Sequence, residues 1–230
     1  MVHSFDELVV RIYTANMGVK YKVNEKFFEK WSYEMAYILG FIFADGSLED
    51  ASYLRGLYLR IHNTDYKIIS KIKNALGSEH KIVRLPALNN NRKTRFILRI
   101  GSHKIFNDLS KFKLHPNKSL DLEMPAIPKK YFGSFLRGYF DGDGCVHIEK
   151  SRGTLRVIFT SGCKNFLDKL SALISENIKI NLHRTLNSRR SYQLRYSQQD
   201  GLKILSYLYK NIKNKLYLIK KYRIYQNFIK

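Results

Sequence analysis

The feature that most constrains the fold is an internal repeat. The stretch ILGFIFADGSL, which begins at residue 38, aligns with LRGYFDGDGCV, which begins at residue 136. This alignment places Asp45 opposite Asp143, an offset of 98 residues, and the same offset places Leu57 opposite Leu155. Because one shift aligns segments far apart in the chain, the sequence indicates a duplicated structural unit.

Each half has the same predicted order of elements. A mostly apolar helix that ends in Asp-Gly, at 33–45 and at 131–143, is followed by strands in which apolar and polar residues alternate. An amphipathic helix follows at 66–76 and at 165–174, and two more strands and a last helix complete each half. The pattern predicts an α+β protein.

The connector between the halves, LHPNKSLDLEMPAIPKK, holds three of the four prolines and is predicted to be extended. We divide the chain into an N-terminal extension at 1–31, a first half at 32–114, a linker at 115–130 and a second half at 131–230. The extension has no counterpart in the second half. FDELVVRIYTANMG and NEKFFEKW are interpreted there as two helices, the first ended by Gly18 and the second capped by Asn24.

The charge of the chain indicates a polyanionic partner. Lys and Arg number 41 against 19 Asp and Glu, which gives a formal net charge of +22. Nucleic acid releases counterions when such a protein binds and is the partner we favour. An anionic membrane would favour one basic amphipathic helix, whereas these charges are distributed along the chain, and an inert basic surface is the other alternative. No membrane partner is expected.

Composition also bounds the cellular setting. No apolar run reaches the roughly 18 residues that a membrane span needs. The N-terminus, MVHSFDELVV, has no apolar signal core, so an intracellular, non-secreted protein is expected. Two cysteines are too few for a disulfide framework or a four-cysteine zinc site, which favours a reducing compartment.

Polar side chains follow one face of the predicted strands, among them a strand predicted across 179–183. A solvated face of a half-exposed sheet is one interpretation. The alternative, which we favour, is a DNA-binding face, because a twisted antiparallel ribbon fits the major groove. The candidate DNA-binding residues are Tyr58, Arg60, His62, Arg95, Arg99, Arg156, Thr160, Lys179, Asn181, His183, Gln193, Arg195 and Ser197.

The two Asp-Gly helices carry small residues four positions apart, Gly40 with Ala44 and Gly138 with Gly142. A glycine inside a helix costs roughly 1 kcal/mol against alanine, which indicates that these positions allow two backbones to approach. The helices are therefore predicted to pack on each other about a pseudo-twofold axis. That packing would bring two carboxylates together at two helix C-termini, where a hard divalent cation such as Mg²⁺ would offset the repulsion.

The Asp-Gly steps have two other interpretations. It could be only a helix stop, with Gly46 and Gly144 in the left-handed conformation. A calcium loop of the EF-hand type is excluded because Val146 stands where its glycine should be. Asp141 aligns with Phe43, so the twofold site does not require it, and either a direct catalytic or a local structural role is open.

ILGFIFADG and LRGYFDGDG resemble the two motifs of the single-chain LAGLIDADG homing endonucleases, and the resemblance extends from about residue 22 to the C-terminus. It implies two αββαββα halves, two four-stranded antiparallel saddle sheets and a central two-helix interface. It also implies that Asp45 and Asp143 bind metal, with the backbone carbonyls of Ala44 and Gly142 as further ligands. By the same resemblance, a lysine serves each metal site, and Lys118 and Lys215 are the candidates.

The activity implied by this resemblance is that of a monomeric homing endonuclease. It would be Mg²⁺-dependent, with Ca²⁺ or Mn²⁺ as substitutes in binding or in vitro. It would cut both strands of a long, largely asymmetric double-stranded DNA target and leave 3′ overhangs. We expect a free-standing protein encoded within an intron, in a bacterial cytoplasm or an organelle. The alternative is a cleavage-deficient DNA-binding regulator or an intron-RNA splicing factor on the same fold.

Overall fold

The computed structural model of the protein describes residues 21–54, 56–87, 93–118, 120–149 and 153–228. These residues contain seven α-helices and eight β-strands. The helix predicted from FDELVVRIYTANMG lies outside the described residues.

The first half follows the order αββαββα. Its elements are α1 (Tyr33–Asp45), β1 (Gly46–Ala51), β2 (Gly56–Asn63), α2 (Tyr66–Ala75), β3 (Ile82–Leu85), β4 (Arg95–Gly101) and α3 (His103–Lys111), with a short 3₁₀ helix at Ser52–Leu54. The strands form one antiparallel sheet in the order β1-β2-β4-β3.

The second half repeats this order. Its elements are α4 (Lys129–Asp143), β5 (Cys145–Glu149), β6 (Thr154–Ser161), α5 (Lys164–Ile178), β7 (Leu186–Ser188), β8 (Ser191–Ser197) and α6 (Gln198–Tyr209). The sheet order is β5-β6-β8-β7, and a further helix, α7 (Ile219–Phe228), follows. The predicted α+β fold of two duplicated halves is therefore confirmed.

Local sequence signals explain where several helices begin. The Ser32 hydroxyl accepts a hydrogen bond from the amide of Met35 at 3.0 Å, which caps α1. Ser102 caps α3 in the same way, and Asp65 caps α2. Helix α1 is buried from Met35 to Phe43, so it is a core element with no solvent-facing stripe.

The strands alternate as predicted between a face covered by helices and an open face. Leu59 and Ile61 of β2 are fully buried, whereas Arg60 between them is only partly covered. In β6, Val157 and Phe159 are fully buried. Side chains of the opposite parity therefore share the uncovered face of each sheet.

The NEKFFEKW segment is not a helix. Asn24 does begin a turn, since its side-chain oxygen accepts from the amide of Lys26 at 3.1 Å. The segment continues as turns, however, and the amide of Asn24 donates to the carbonyl of Leu76 at 3.0 Å. This tether and the burial of Phe28 hold the segment against the end of α2, so the helical pattern does not propagate.

The strand predicted across 179–183 is also wrong. Lys179 ends α5 in the left-handed conformation, with φ of 60°. The chain then runs back along that helix: Ser175 donates to the carbonyl of Ile180 at 2.7 Å, and the amide of His183 donates to the Ser171 hydroxyl at 3.2 Å. The apolar alternation was misleading because Leu182 is exposed, and β7 begins only at Leu186.

Candidate active site and nucleic-acid interface

Helices α1 and α4 cross with their backbones in contact. A Cβ added at Gly40 would fall on the backbone carbonyl oxygen of Phe135, and one added at Gly138 would fall on that of Tyr37. The two contacts are reciprocal and are related by the repeat. The glycines are thus explained by the close approach of two helices about a pseudo-twofold axis.

The two acids lie at the same end of this helix pair. A Cβ at Gly142 would meet the Ala44 methyl group and would lie 3.5 Å from the Asp45 carboxylate. Gly46 and Gly144, which follow the acids, are extended, with φ of −104° and −79°. Neither residue is left-handed, so the simple helix-stop interpretation does not explain the two Asp-Gly steps.

Asp45 is held by the end of β2. The Asn63 side-chain amide donates to Asp45 Oδ2 at 2.6 Å, and His62 Nδ1 lies 2.9 Å from the Asp45 carbonyl oxygen. Burial raises the pKa of Asp45, while the Asn63 hydrogen bond and the charges of Lys221 and Lys118 oppose the rise. Sequence reasoning missed Asn63, and its counterpart in the repeat is Ser161.

Asp143 reaches the solvent-exposed edge of the site. Desolvation by the surrounding protein and, after it, the charge of Asp45 raise the pKa of its carboxyl to about 6. Lys118 and Lys221 act in the opposite direction. The two acids therefore repel each other across a common site, as the sequence predicts.

Lys118 lies beside both acids. It is only 6% exposed, and its ammonium donates to the carbonyl of Phe43 at 2.7 Å. Burial lowers the pKa of Lys118 to about 8, although the charges of Asp143 and Asp45 partly offset this. Its ammonium therefore sits at the C-terminal, negative end of α1.

The lysine beside the end of α4 is Lys221, not Lys215. The Lys221 ammonium donates to the carbonyls of Phe140, Asp141 and Gly144. Burial lowers the pKa of Lys221, and the charges of Asp141, Asp45 and Asp143 oppose that change. Lys221 thus occupies at α4 the place that Lys118 occupies at α1.

Lys215 is exposed, and its carbonyl accepts from the ammonium of Lys71 at 3.0 Å. The repeat pattern selected it because Asn-Lys occurs in both halves. Loop length explains the difference, since Lys118 follows the end of α3 more closely than Lys221 follows the end of α6. Alignment of the two halves does not identify Lys221, because the longer connector before it shifts it out of register with Lys118.

The site offers oxygen donors that suit a small divalent cation. Among the described residues, no group of three or more His, Cys, Asp or Glu side chains could hold a metal ion. Mg²⁺, however, is commonly held by one or two carboxylates together with substrate phosphates and water. The carbonyls of Ala44 and Gly142 lie at helix ends, where carbonyl groups lack helical partners. Two carboxylates at one helix-pair end therefore fit such an ion bound jointly with a phosphate.

The uncovered faces of the sheets carry most of the predicted DNA-binding residues, several of them in internal contacts. Glu49 accepts from Arg60 at 3.0 Å and from Arg99 at 2.7 Å. The Arg99 guanidinium also lies 3.4 Å from the centre of the Tyr58 ring. These partners hold the first-half arginines in a fixed arrangement on the open face of the sheet.

The second sheet carries a looser arrangement. Arg156 lies 3.4 Å from Glu149, and Arg195, which is exposed, donates to the side chain of Gln193 at 2.9 Å. Strand register places Arg156 opposite Ser197 and Thr160 opposite Gln193. In the first sheet, Arg95 lies at the start of β4.

Three predicted DNA-binding residues lie off the sheet. Lys179 and Asn181 are exposed on the segment after α5. His183 is turned inward, with its ring nitrogens 3.1 Å from the carbonyl oxygen of Arg195 and 3.3 Å from Asp200. The geometry therefore gives His183 a packing role between β8 and α6.

No helix in the described part of the chain is long and apolar enough to cross a membrane. Residues 133–213 match a family model described as a LAGLIDADG-like domain. The chain has the LAGLIDADG fold. The resemblance predicted from the two motifs is confirmed.

Solved structures with the LAGLIDADG fold cover most of the chain. The homing endonuclease I-WcaI bound to its DNA recognition sequence is 12% identical, with a TM-score of 0.60, and the match covers 87% of this chain and 90% of that one. I-DmoI in complex with DNA and Ca is 18% identical, with a TM-score of 0.57 and coverage of 84% and 97%. The N-terminal LAGLIDADG domain of DUF199/WhiA is 17% identical, with a TM-score of 0.54 and coverage of 96% and 98%. At these identities the likeness establishes the fold alone.

Curated relatives match over a small part of their own length. A probable translation initiation factor IF-2 of Methanocaldococcus jannaschii is 29% identical over 174 residues, which is 71% of this chain and 13% of the relative. The ribonucleoside-diphosphate reductase NrdEB subunit alpha of Bacillus subtilis is 25% identical over 185 residues, 74% of this chain and 17% of the relative. The shared segment is therefore a minor part of proteins whose named activities differ.

Proposed function

We propose that this protein is a site-specific, Mg²⁺-dependent double-strand DNA endonuclease. One observation carries the proposal: Asp45 and Asp143 lie at the same end of two crossed helices, with the buried Lys118 beside one helix end and the partly buried Lys221 beside the other. The arginine-bearing open faces of the two sheets begin directly after these acids, since β1 and β5 follow α1 and α4. Structural neighbours include endonucleases bound to DNA, in one case with Ca and in another with Mn.

In this proposal the carboxylates of Asp45 and Asp143 would hold the divalent cation together with the DNA phosphates. The bound ion would supply charge neutralisation and a lower pKa for a coordinated water molecule. The raised pKa of Asp143 follows from desolvation by the surrounding protein and from the charge of Asp45, and a bound cation would lower it. A proton and a divalent ion would therefore compete for this carboxylate.

Lys118 and Lys221 would act on the phosphate. Each ammonium is held by carbonyls at a helix end and is coupled electrostatically to both acids. A fixed cation beside a phosphate stabilises the negative charge that develops in the transition state without reorganising. With one such lysine beside each helix end, the arrangement suits the cutting of both strands.

The sheets would provide the target specificity. Arginines on the open faces can contact phosphates and guanine edges in the major groove. The two halves present different side chains, such as Arg60 opposite Arg99 in the first and, at the corresponding positions, Ile158 opposite Arg195 in the second. We therefore propose a long, largely asymmetric target bound by a monomer, with cleavage that leaves 3′ overhangs.

A non-cleaving DNA-binding protein is the second candidate. The likeness to the LAGLIDADG domain of WhiA, a protein not named as an endonuclease, is the observation that favours it. The raised pKa of Asp143 and the lowered pKa of Lys118 favour catalysis instead, because such perturbed groups at one site typify active sites.

A randomised duplex library tests the proposal. The protein is incubated with the library in Mg²⁺, and cut and bound molecules are sequenced separately, with EDTA as the control. The proposal expects a defined set of cut molecules whose ends carry 3′ overhangs and which are absent in EDTA. Enrichment of one bound sequence with no cut ends in Mg²⁺ would instead support the non-cleaving protein.

A further inference from the structure

Asp141, the acid that the repeat does not require, is buried and fully hydrogen-bonded. It is 1% exposed, and its carboxylate accepts from the hydroxyls of Tyr37 at 2.8 Å and Tyr209 at 2.6 Å, and from the amide of Leu218 at 2.8 Å. Its repeat partner, Phe43, is an apolar core residue. Burying a carboxylate is costly even when it is satisfied, so this one needs a specific reason.

The bond to Leu218 stabilises the beginning of α7. Leu218 immediately precedes that helix, and its carbonyl accepts from the amides of Lys221 and Tyr222 at 3.1 Å. Amides at a helix start lack helical partners, and a negative group there is favoured by the helix dipole. Asp141 therefore caps α7 from a different helix.

This cap controls where Lys221 lies. Lys221 is in the first turn of α7, and its ammonium reaches back to carbonyls of α4, including that of Asp141 itself at 3.0 Å. Tyr37 donates to Oδ2 of Asp141, the same oxygen that accepts from Leu218, and Tyr209 donates to the other oxygen, Oδ1. The position of the Lys221 ammonium thus depends on the Asp141 carboxylate, which is hydrogen-bonded to α1, α6 and the start of α7.

We propose that Asp141 is a positioning residue that sets the Lys221 ammonium at the catalytic end of α4. The inference rests on the endonuclease function proposed above. Lys118 lies on the linker, and its ammonium donates directly to the end of α1. The position of the Lys118 ammonium therefore does not depend on Asp141. The lysines at the ends of α1 and α4 are therefore positioned in different ways.

A double-mutant cycle on single-turnover cleavage tests this role, using the selected DNA site. Asp141→Asn keeps the volume and removes the charge, and we expect a rate about tenfold lower, because a misplaced catalytic group slows chemistry. Lys221→Met is expected to be slower still, and Asp141→Asn/Lys221→Met no slower than Lys221→Met alone. DNA affinity in Ca²⁺ should stay within about twofold of the parent, since neither group lies on the open sheet faces.

Two controls separate positioning from general stability. When Asp141→Asn is combined with Lys118→Met, the fold-losses in cleavage rate of the two single variants should multiply, because Asp141 does not position Lys118. Asp108→Asn, which removes another buried acid, held by Lys104 and Lys111 in the first half, should multiply with Lys221→Met. If Asp141→Asn fails to fold by circular dichroism, Tyr209→Phe removes one donor from the same carboxylate and should give the same pattern with a smaller loss.

The outcomes are distinct. Parental rates in Asp141→Asn, or losses that multiply between Asp141→Asn and Lys221→Met, would overturn the positioning role while leaving the nuclease intact. A parent protein that binds the selected DNA without cutting it would overturn the proposed function and the positioning role that rests on it.

Discussion

Gly138→Ala tests how the two halves are held together. A Cβ at position 138 would fall on the Tyr37 carbonyl oxygen and lie 2.9 Å from the Phe41 amide nitrogen, whereas ordinary contacts of a Cβ are 3.4–4 Å. Both blocking atoms belong to the backbone of a buried helix, so no side-chain rotation removes the overlap. The helices would have to separate by more than about 1 Å at their crossing.

The expected cost follows from two opposing effects. Overpacking of a core costs about 1–3 kcal/mol, and backbone contacts place this variant at the upper end. Alanine in place of a helical glycine gains about 1 kcal/mol, which leaves a net loss of about 2 kcal/mol. For a chain of this length, that loss lowers the Tm by about 4–8 °C. Cleavage should fall by up to about 100-fold, because the acids at the ends of both helices move apart.

Gly133→Ala in the same helix is the matched control. A Cβ there would meet only the ring of Tyr207, at 3.3 Å, and the ring can shift. Its Tm should be no lower than that of the parent, whereas the Tm of Gly138→Ala should fall. Thermal unfolding by circular dichroism and single-turnover cleavage give both measurements. A Gly138→Ala protein as stable and as active as the parent would refute the close backbone packing.

Three further predictions concern the site and its surface. Lys118→Met and Lys221→Met should each slow cleavage by about 100-fold or more while DNA binding in Ca²⁺ changes little, which single-turnover kinetics and fluorescence anisotropy measure. Without divalent cations, Asp143→Asn should be more stable than the parent at about pH 7.5 and equally stable near pH 4. The folded-state pKa of about 6 lies above the unfolded value, so ionisation of Asp143 costs stability as the pH rises. Solvent screening at this exposed residue limits the gain in stability to about 1 kcal/mol. Thermal unfolding of both proteins at the two pH values measures it, and an equal gain at pH 4 and pH 7.5 would contradict the prediction. Arg195→Ala should weaken DNA binding by about 1–3 kcal/mol and flatten its salt dependence, more than Arg99→Ala, because Arg99 is already bound to Glu49.

Much of the fold could be predicted from the sequence because the two duplicated halves show the same sequence patterns in the same order. The offset between Asp45 and Asp143 aligned the motif helices and the first strands of both halves, and glycines four positions from small residues indicated the helix crossing. Strand alternation gave the correct buried face in β2, β6 and β8. Along 179–183 it failed, since an irregular segment running along a helix can alternate like a strand.

The parts of the site that escaped prediction depend on contacts between distant residues. Asp141 and Tyr37 are 104 positions apart, and no local sequence pattern predicts the hydrogen bond between them. Lys221 was missed because the connector before it has no equal in the first half, so the repeat pointed to Lys215 instead. Asn63 was missed because a strand-end amide becomes informative only once the carboxylate beside it is located.

The central claim is that Asp45 and Asp143 form one metal-dependent cutting site. The most direct measurement compares the parent with Asp45→Asn and Asp143→Asn on the selected DNA, in Mg²⁺ for cleavage and in Ca²⁺ for binding. We predict that both variants cut at least about 1,000-fold more slowly while their affinity in Ca²⁺ stays within about threefold of the parent. Cleavage by either variant at close to the parental rate would contradict the account.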